Sequence, residues 1–139
     1  MKKVVATGTF DHLHKGHIFL FKKAKSLGDY LTVVVARDKT VKQVKGRFPW
    51  QKEKVRLANV RKVQWVNKAV LGNQGKDKLK IIKELKPDIL VLGYDQKNFT
   101  KKIRQELKKR KLKTRVIRLP AFKPQKYKSS ILKKLALSK

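Results

Sequence analysis

The chain has 139 residues, 40% of them apolar, with 39 lysines and arginines against 9 acidic residues and a net charge of +30. A chain of this size buries a core without staples, and the absence of cysteine excludes a disulfide framework and a thiolate metal site. No apolar run approaches the roughly 20 residues of a membrane helix, and the apolar part of MKKVVATGTF is too short for a signal peptide, so one soluble, cytoplasmic domain spanning residues 1–139 is expected, with no membrane association.

In chain order, KVVATG is a β-rich run ending at Gly8. HIFLFKKAKSLG has helical spacing at Ile18, Phe21, Ala24 and Leu27 and stops at Gly28. YLTVVVAR is a β-branched run of the kind buried on both faces. DKTVKQVKGRFPWQ, basic and interrupted by Gly and Pro, reads as a loop. KEKVRLANVRKV reads as a helix with Val55, Leu57, Ala58 and Val60 as its apolar residues. NKAVLG is a short strand. DKLKIIKELK is a helix, with Asp77 as N-cap and Pro87 as stop. PDILVLG is a strand, NFTKKIRQELKKRK a helix capped by Thr100, and TRVIRLP a last strand. PAFKPQKYK reads as a second loop, and SSILKKLALSK as a final helix opened by Ser129 or Ser130.

Strands alternating with helices imply an α/β, Rossmann-like fold: a parallel sheet of about five strands covered by helices on both faces. In such sheets ligands bind beyond the carboxyl ends of the strands. Four segments fall there: GTFDHLHKGH, ARDKTVKQVKGR, GYDQKN and PAFKPQKYKSS.

The lysines are spread over every segment rather than gathered in one tail or face. Dispersal favours a general lysine bias over a dedicated nucleic-acid surface, although a field of this strength draws anionic ligands. Weak, non-specific RNA or DNA binding at low salt is expected in either case.

All three histidines of the chain lie between Gly8 and His17. In HKGH, His14 and His17 stand three apart at a helix start and share a face. A helix N-terminus offers free N–H groups and a partial positive charge, and Gly8 and Gly16 permit close approach of a ligand. The combination is a phosphate cradle in which two imidazoles donate hydrogen bonds to a polyphosphate and its transition state. The bland alternative is a pair of solvated or capping histidines. A zinc site is the other rival; it needs a third ligand from His12 or Asp11, and no downstream histidine or cysteine completes it.

GTFDHLHKGH resembles the signature of the cytidylyltransferase-like nucleotidylyltransferases, a G-T-F-D turn followed by H-x-G-H. ARDKTVKQVKGR, AVLG, PDILVLGYDQ and SSIL are similar to the archaeal-type FAD synthases, which move AMP from ATP onto FMN. The glycerol-3-phosphate cytidylyltransferases share the first motif and a Gly-x-Asp near the fourth strand. Their R-T-E-G-I-S-T-T signature is absent, and the chain reads AFKPQKYKSSI instead.

The resemblance implies nucleotidyl transfer. His14 and His17 would contact the triphosphate and stabilise the transition state, with Gly16 between them, and Thr9 and Phe10 would present backbone N–H groups to it. Lys45 would be the phosphate-contacting lysine of the loop after the second strand, near Lys42. Arg56, in EKVRL, resembles the family's E-x-x-R helix start, where a guanidinium grips a phosphate in bidentate fashion. Asp11 either holds the turn through side-chain-to-backbone bonds or orients substrate or magnesium. Trp50 either anchors its loop in the core or offers a flat surface to an aromatic ligand. Asp95 would accept bonds from ribose or base, and Ser129 and Ser130 would add donors for a phosphate. Mg2+ is expected with the triphosphate, held mostly by phosphates and water rather than by a protein cage.

The partners implied are ATP, or CTP, and a phosphorylated acceptor, FMN first. A CTP-dependent transfer to glycerol 3-phosphate or a similar small phosphorylated alcohol is the alternative within the class. A non-catalytic nucleotide- or RNA-binding protein is the alternative outside it. A homodimer is left open, since no apolar surface stripe decides it. The flavin reading draws on Phe48, Pro49, Trp50, Phe122 and Tyr127 as an apolar slot.

Overall fold

In a computed structural model, which describes residues 1–73, 79–92 and 97–119, five strands are joined by five helices, two of them between the second and third strands. They run β1 (Lys3–Gly8), α1 (Lys15–Ser26), β2 (Tyr30–Val35), α2 (Asp38–Lys45), α3 (Glu53–Arg61), β3 (Lys68–Leu71), α4 (Lys80–Leu85), β4 (Ile89–Leu92), α5 (Lys97–Lys109) and β5 (Arg115–Arg118). The strands form one parallel sheet in the order β3-β2-β1-β4-β5. The order reverses between β1 and β4, and the crevice beyond the carboxyl end of β1 is where such sheets take their ligands.

β1 is central, and Val4, Val5 and Ala6 are all buried. Its start is tied by two carboxylates: Lys2 N–H donates to Asp29 Oδ2 (2.7 Å) and Lys3 N–H to Asp88 Oδ2 (2.8 Å). Alternate residues of each strand serve opposite faces. Val4 and Ala6 pack with Phe21 and Ala24 of α1 and Val60 of α3. Val5 packs on the other face with Ile82 of α4 and Ile103 and Leu107 of α5. Gly8 ends the strand because a side chain there has no room: a Cβ would lie 2.7 Å from the Phe10 ring.

Several expectations change. DKTVKQVK is helical, not a loop. It buries a single residue, Val41, while Val44 is exposed, so no apolar stripe announces it. The helix is fixed at its ends instead. The Glu53 carboxylate accepts the Asp38 N–H (2.9 Å), the Asp38 carboxylate accepts the Glu53 N–H (3.2 Å), and Gly46 closes the last turn at φ +79°. In α3, Val55 and Ala58 face solvent, and the inner face is taken by Val60 and the fully buried Arg56. Ile18 of α1 is exposed as well. Thr100 lies inside α5 rather than at its cap. Asp77, the second loop and the final helix lie outside the described residues.

Candidate active site

The turn from β1 to α1 carries the histidines. Two of its non-glycine residues adopt left-handed backbone, Phe10 (φ +55°) and His12 (φ +51°). Phe10 is anchored in the core, its ring 4.9 Å from Phe21 and edge-on to His17 at 5.5 Å. Asp11, between the two, aims its carboxylate at the 50–51 backbone: Oδ2 accepts the Trp50 N–H (2.7 Å) and Oδ1 the Gln51 N–H (2.9 Å). Partial burial pushes its pKa up, but these two N–H bonds, with the His12 and Arg56 charges, outweigh it and hold the carboxyl below its ordinary value.

His14 is the N-cap of α1. Its Nδ1 accepts the Gly16 N–H (3.0 Å), and its own N–H donates to His17 Nδ1 (3.2 Å). The two rings stack with centroids 3.8 Å apart and planes 25° from parallel. A ring nitrogen that accepts an N–H carries no proton, so each neutral imidazole holds its proton on Nε2; this tautomer follows from the hydrogen-bond network. The His17 pKa is lowered to about 4, first by burial and then by the electrostatic influence of its neighbours His14 and Lys45, against a smaller opposite pull from Asp11. His17 is therefore a neutral Nε2–H donor at neutral pH.

This modifies the expected cradle. The Gly16 N–H is spent on His14 Nδ1, and the His17 N–H on the His14 carbonyl (3.0 Å). The donors left for an anion at this helix start are imidazole Nε2–H groups rather than those two backbone amides.

A cavity of about 220 Å³ lies between the 9–12 turn, α2 and the 47–50 turn; His12 lines it, His14 and His17 do not. Thr9, Asp11, His12, Lys45 and Arg47 supply its polar wall, and Val41, Phe48, Pro49 and Trp50 its apolar one. Trp50 is 77% exposed and Phe48 59%, so Trp50 is not the core anchor that was one of its two expected roles. Lys45 lines this cavity and its charge also reaches His17. Lys42 sets its Nζ 4.9 Å from the ring centre of Phe48, which lines the cavity.

Arg56 departs furthest from expectation. Its side chain is fully buried, and all its bonds go to protein: Nη1–H to the Thr9 carbonyl (2.7 Å), Nε–H to the Gln51 carbonyl (2.9 Å) and Nη2–H to Asp38 Oδ1 (2.7 Å). It ties the 9–12 turn to the 50–51 turn from beneath and does not reach a substrate phosphate. Gln51 was not anticipated. It meets the 9–12 turn twice, through its N–H, which donates to Asp11 Oδ1 (2.9 Å), and its side-chain Oε1, which accepts the His12 N–H (2.9 Å), while its carbonyl accepts from Arg56. No sequence pattern distinguishes this glutamine; only the fold brings it to the turn.

No group of three histidine, cysteine or acidic side chains able to hold a metal gathers among the described residues. Asp95, Ser129, Ser130, Phe122 and Tyr127 lie outside the described residues.

The strand order, the Gly-Thr-Phe-Asp turn and the stacked histidine pair define a nucleotidylyltransferase, and the chain belongs to the cytidylyltransferase-like family, whose profile matches residues 5–135. Within that family it is similar to proteins named FAD synthase. That of Archaeoglobus profundus is 48% identical over 130 residues, 94% of this chain and 82% of the relative. That of Methanobrevibacter smithii is 44% identical over 140 residues, 97% of this chain and 91% of the relative. A solved structure from Thermoplasma volcanium, described as a lipopolysaccharide core biosynthesis protein, superposes with a TM-score of 0.81 at 42% identity, over 88% of this chain and 98% of its own. A pantoate-beta-alanine ligase from Francisella tularensis, at 23% identity and a TM-score of 0.59 over 86% of this chain and 59% of its own, shares the fold.

Proposed function

We propose that residues 1–139 act as one domain that transfers AMP from ATP to FMN, giving FAD and pyrophosphate. The observation that carries this reading is the His14–His17 stack, with both Nδ1 atoms tied inward. An oxygen of the FMN phosphate attacks the α-phosphorus of ATP in line. The bond from the α-phosphorus to the bridging oxygen breaks, and pyrophosphate leaves with the bond pair. No covalent intermediate on the protein is required. His14 and His17 donate from Nε2 to oxygens that gain charge in the transition state, and Lys45 adds a positive charge beside them.

The acceptor enters the cavity between the 9–12 turn and α2, where Lys45 links it to His17. FMN combines a dianionic phosphate with a flat aromatic ring. Lys45 and Arg47 match the first, and the exposed Trp50 and Phe48 match the second. Glycerol 3-phosphate would have no use for the aromatic wall. Magnesium would enter with ATP and neutralise triphosphate charge, held mostly by phosphate oxygens and water rather than by a protein cage. Asp95, Ser129 and Ser130 complete the nucleotide end in this reading. The net charge of +30 adds weak, salt-sensitive attraction to nucleic acid.

Incubating the protein with ATP or CTP and either FMN or glycerol 3-phosphate, and following pyrophosphate and flavin products, tests the reading. FAD should form from the ATP and FMN pair. Pyrophosphate release from CTP and glycerol 3-phosphate alone would replace the adenylyl reading with the cytidylyl one.

A further inference from the structure

The 9–12 turn holds two residues in left-handed backbone, a conformation that crowds any side chain with a Cβ and persists only where the surroundings enforce it. Phe10 is enforced by packing, since it is 4% exposed and wedged against Phe21 and His17. Asp11 is enforced by its two bonds to the 50–51 backbone. His12 is exposed and has no such packing. Its backbone is instead tied by its N–H to Gln51 Oε1. Two residues further on, His14 begins the stacked pair.

We propose that Gln51 is a positioning residue for nucleotidyl transfer: its side-chain oxygen locks His12 in the left-handed conformation and so sets the aim of His14 and His17. The lock is rigid because Gln51 is fixed at both backbone ends. Its N–H is held by Asp11, and its carbonyl by Arg56, which is itself buried and anchored on Asp38. The chain of contacts runs from the buried guanidinium through Gln51 to the turn that presents the imidazoles. An ordinary exposed amide contact would behave otherwise, since water would replace the lost oxygen with little effect. Here the bond opposes backbone strain, and water cannot restrain a torsion.

This inference rests on the histidine pair being the transition-state donors, so its test has one arm that needs no substrate. The full-length protein is compared with Gln51→Leu, which removes the acceptor oxygen, Gln51→Asn, which keeps an amide but is too short, and Gln51→Glu, which keeps an oxygen at the same reach. Steady-state kinetics should show kcat down roughly tenfold in the Leu and Asn variants, with KM for ATP and FMN within about threefold, because misplacement of a donor acts on the transition state. The Glu variant should recover most of the loss. Imidazole 15N spectra should show the His14 and His17 signals shifted in Leu and Asn and restored in Glu. If the Leu variant does not fold, the Asn variant carries the test. Wild-type kcat in folded Leu or Asn, a Glu variant as impaired as Leu, or a change in melting temperature alone would each overturn the proposal. If the wild type forms no FAD, the functional reading fails, and unchanged imidazole spectra would still count against Gln51 separately.

Discussion

His14 and His17 stack 3.8 Å apart because each serves the backbone next to the other: His14 gives its N–H to His17 Nδ1, and its own Nδ1 caps Gly16. The same bonds that build the start of α1 leave both Nε2–H groups as donors. Helix capping and the proposed transition-state donation thus use opposite nitrogens of the same rings.

Replacing either histidine should therefore lower turnover more than nucleotide affinity. His14→Ala or His17→Ala is expected to reduce kcat by about 10²–10³-fold, the usual effect of losing one such donor. KM for ATP should change far less. Unchanged kcat in both variants would remove the pair from the mechanism.

Acid should destabilise the fold through His17. Its folded-state pKa is about 4, against an ordinary value of 6.5. Between those values the unfolded chain takes up the proton and the folded one does not, so stability is full above about pH 6.5 and falls as pH drops towards about 4. Urea unfolding measured across this range should show the slope, and His17→Asn should flatten it. An equal slope in both proteins would contradict the burial of a neutral imidazole.

Arg56 should behave as a structural clamp. Arg56→Met would leave the Thr9 and Gln51 carbonyls and the Asp38 carboxylate without their partner. Breaking a buried, paired charge of this kind costs about 3–5 kcal/mol. Chemical denaturation should register a loss of that size. A variant of wild-type stability with a raised KM for ATP or FMN would return Arg56 to the substrate.

FMN should quench tryptophan fluorescence through Trp50, which stands on the cavity rim, and not through Trp65, which packs against the core. Trp50→Phe should abolish most of the quenching while ATP still binds. Arg47→Ala should raise KM for FMN by about tenfold or more, as expected for losing a charged partner of a phosphate. Full quenching in the Trp50→Phe variant would place the flavin elsewhere.

Much of the fold was legible because β1, β2 and β4 are short apolar runs and α1 places Phe21 and Ala24 on one side. α2 was not, because its one buried residue makes no stripe and its start is fixed by Glu53, fifteen positions from Asp38. The histidine pair was legible because its spacing is local. The role of Arg56 was not: an arginine in a helix start looks like a phosphate ligand until the fold buries it under Thr9 and Gln51. Asp11 shows the same limit. Its carboxylate was expected to hold the turn by local bonds or to orient substrate or magnesium, whereas it reaches across the fold to the N–H groups of Trp50 and Gln51.

The most direct measurement follows the α-phosphate. With ATP labelled at the α-phosphorus and FMN as acceptor, label should appear in FAD with one pyrophosphate released per FAD formed, and His17→Ala should slow both together. Label that stays in ATP or appears only as AMP, with no FAD, would contradict transfer onto a flavin phosphate.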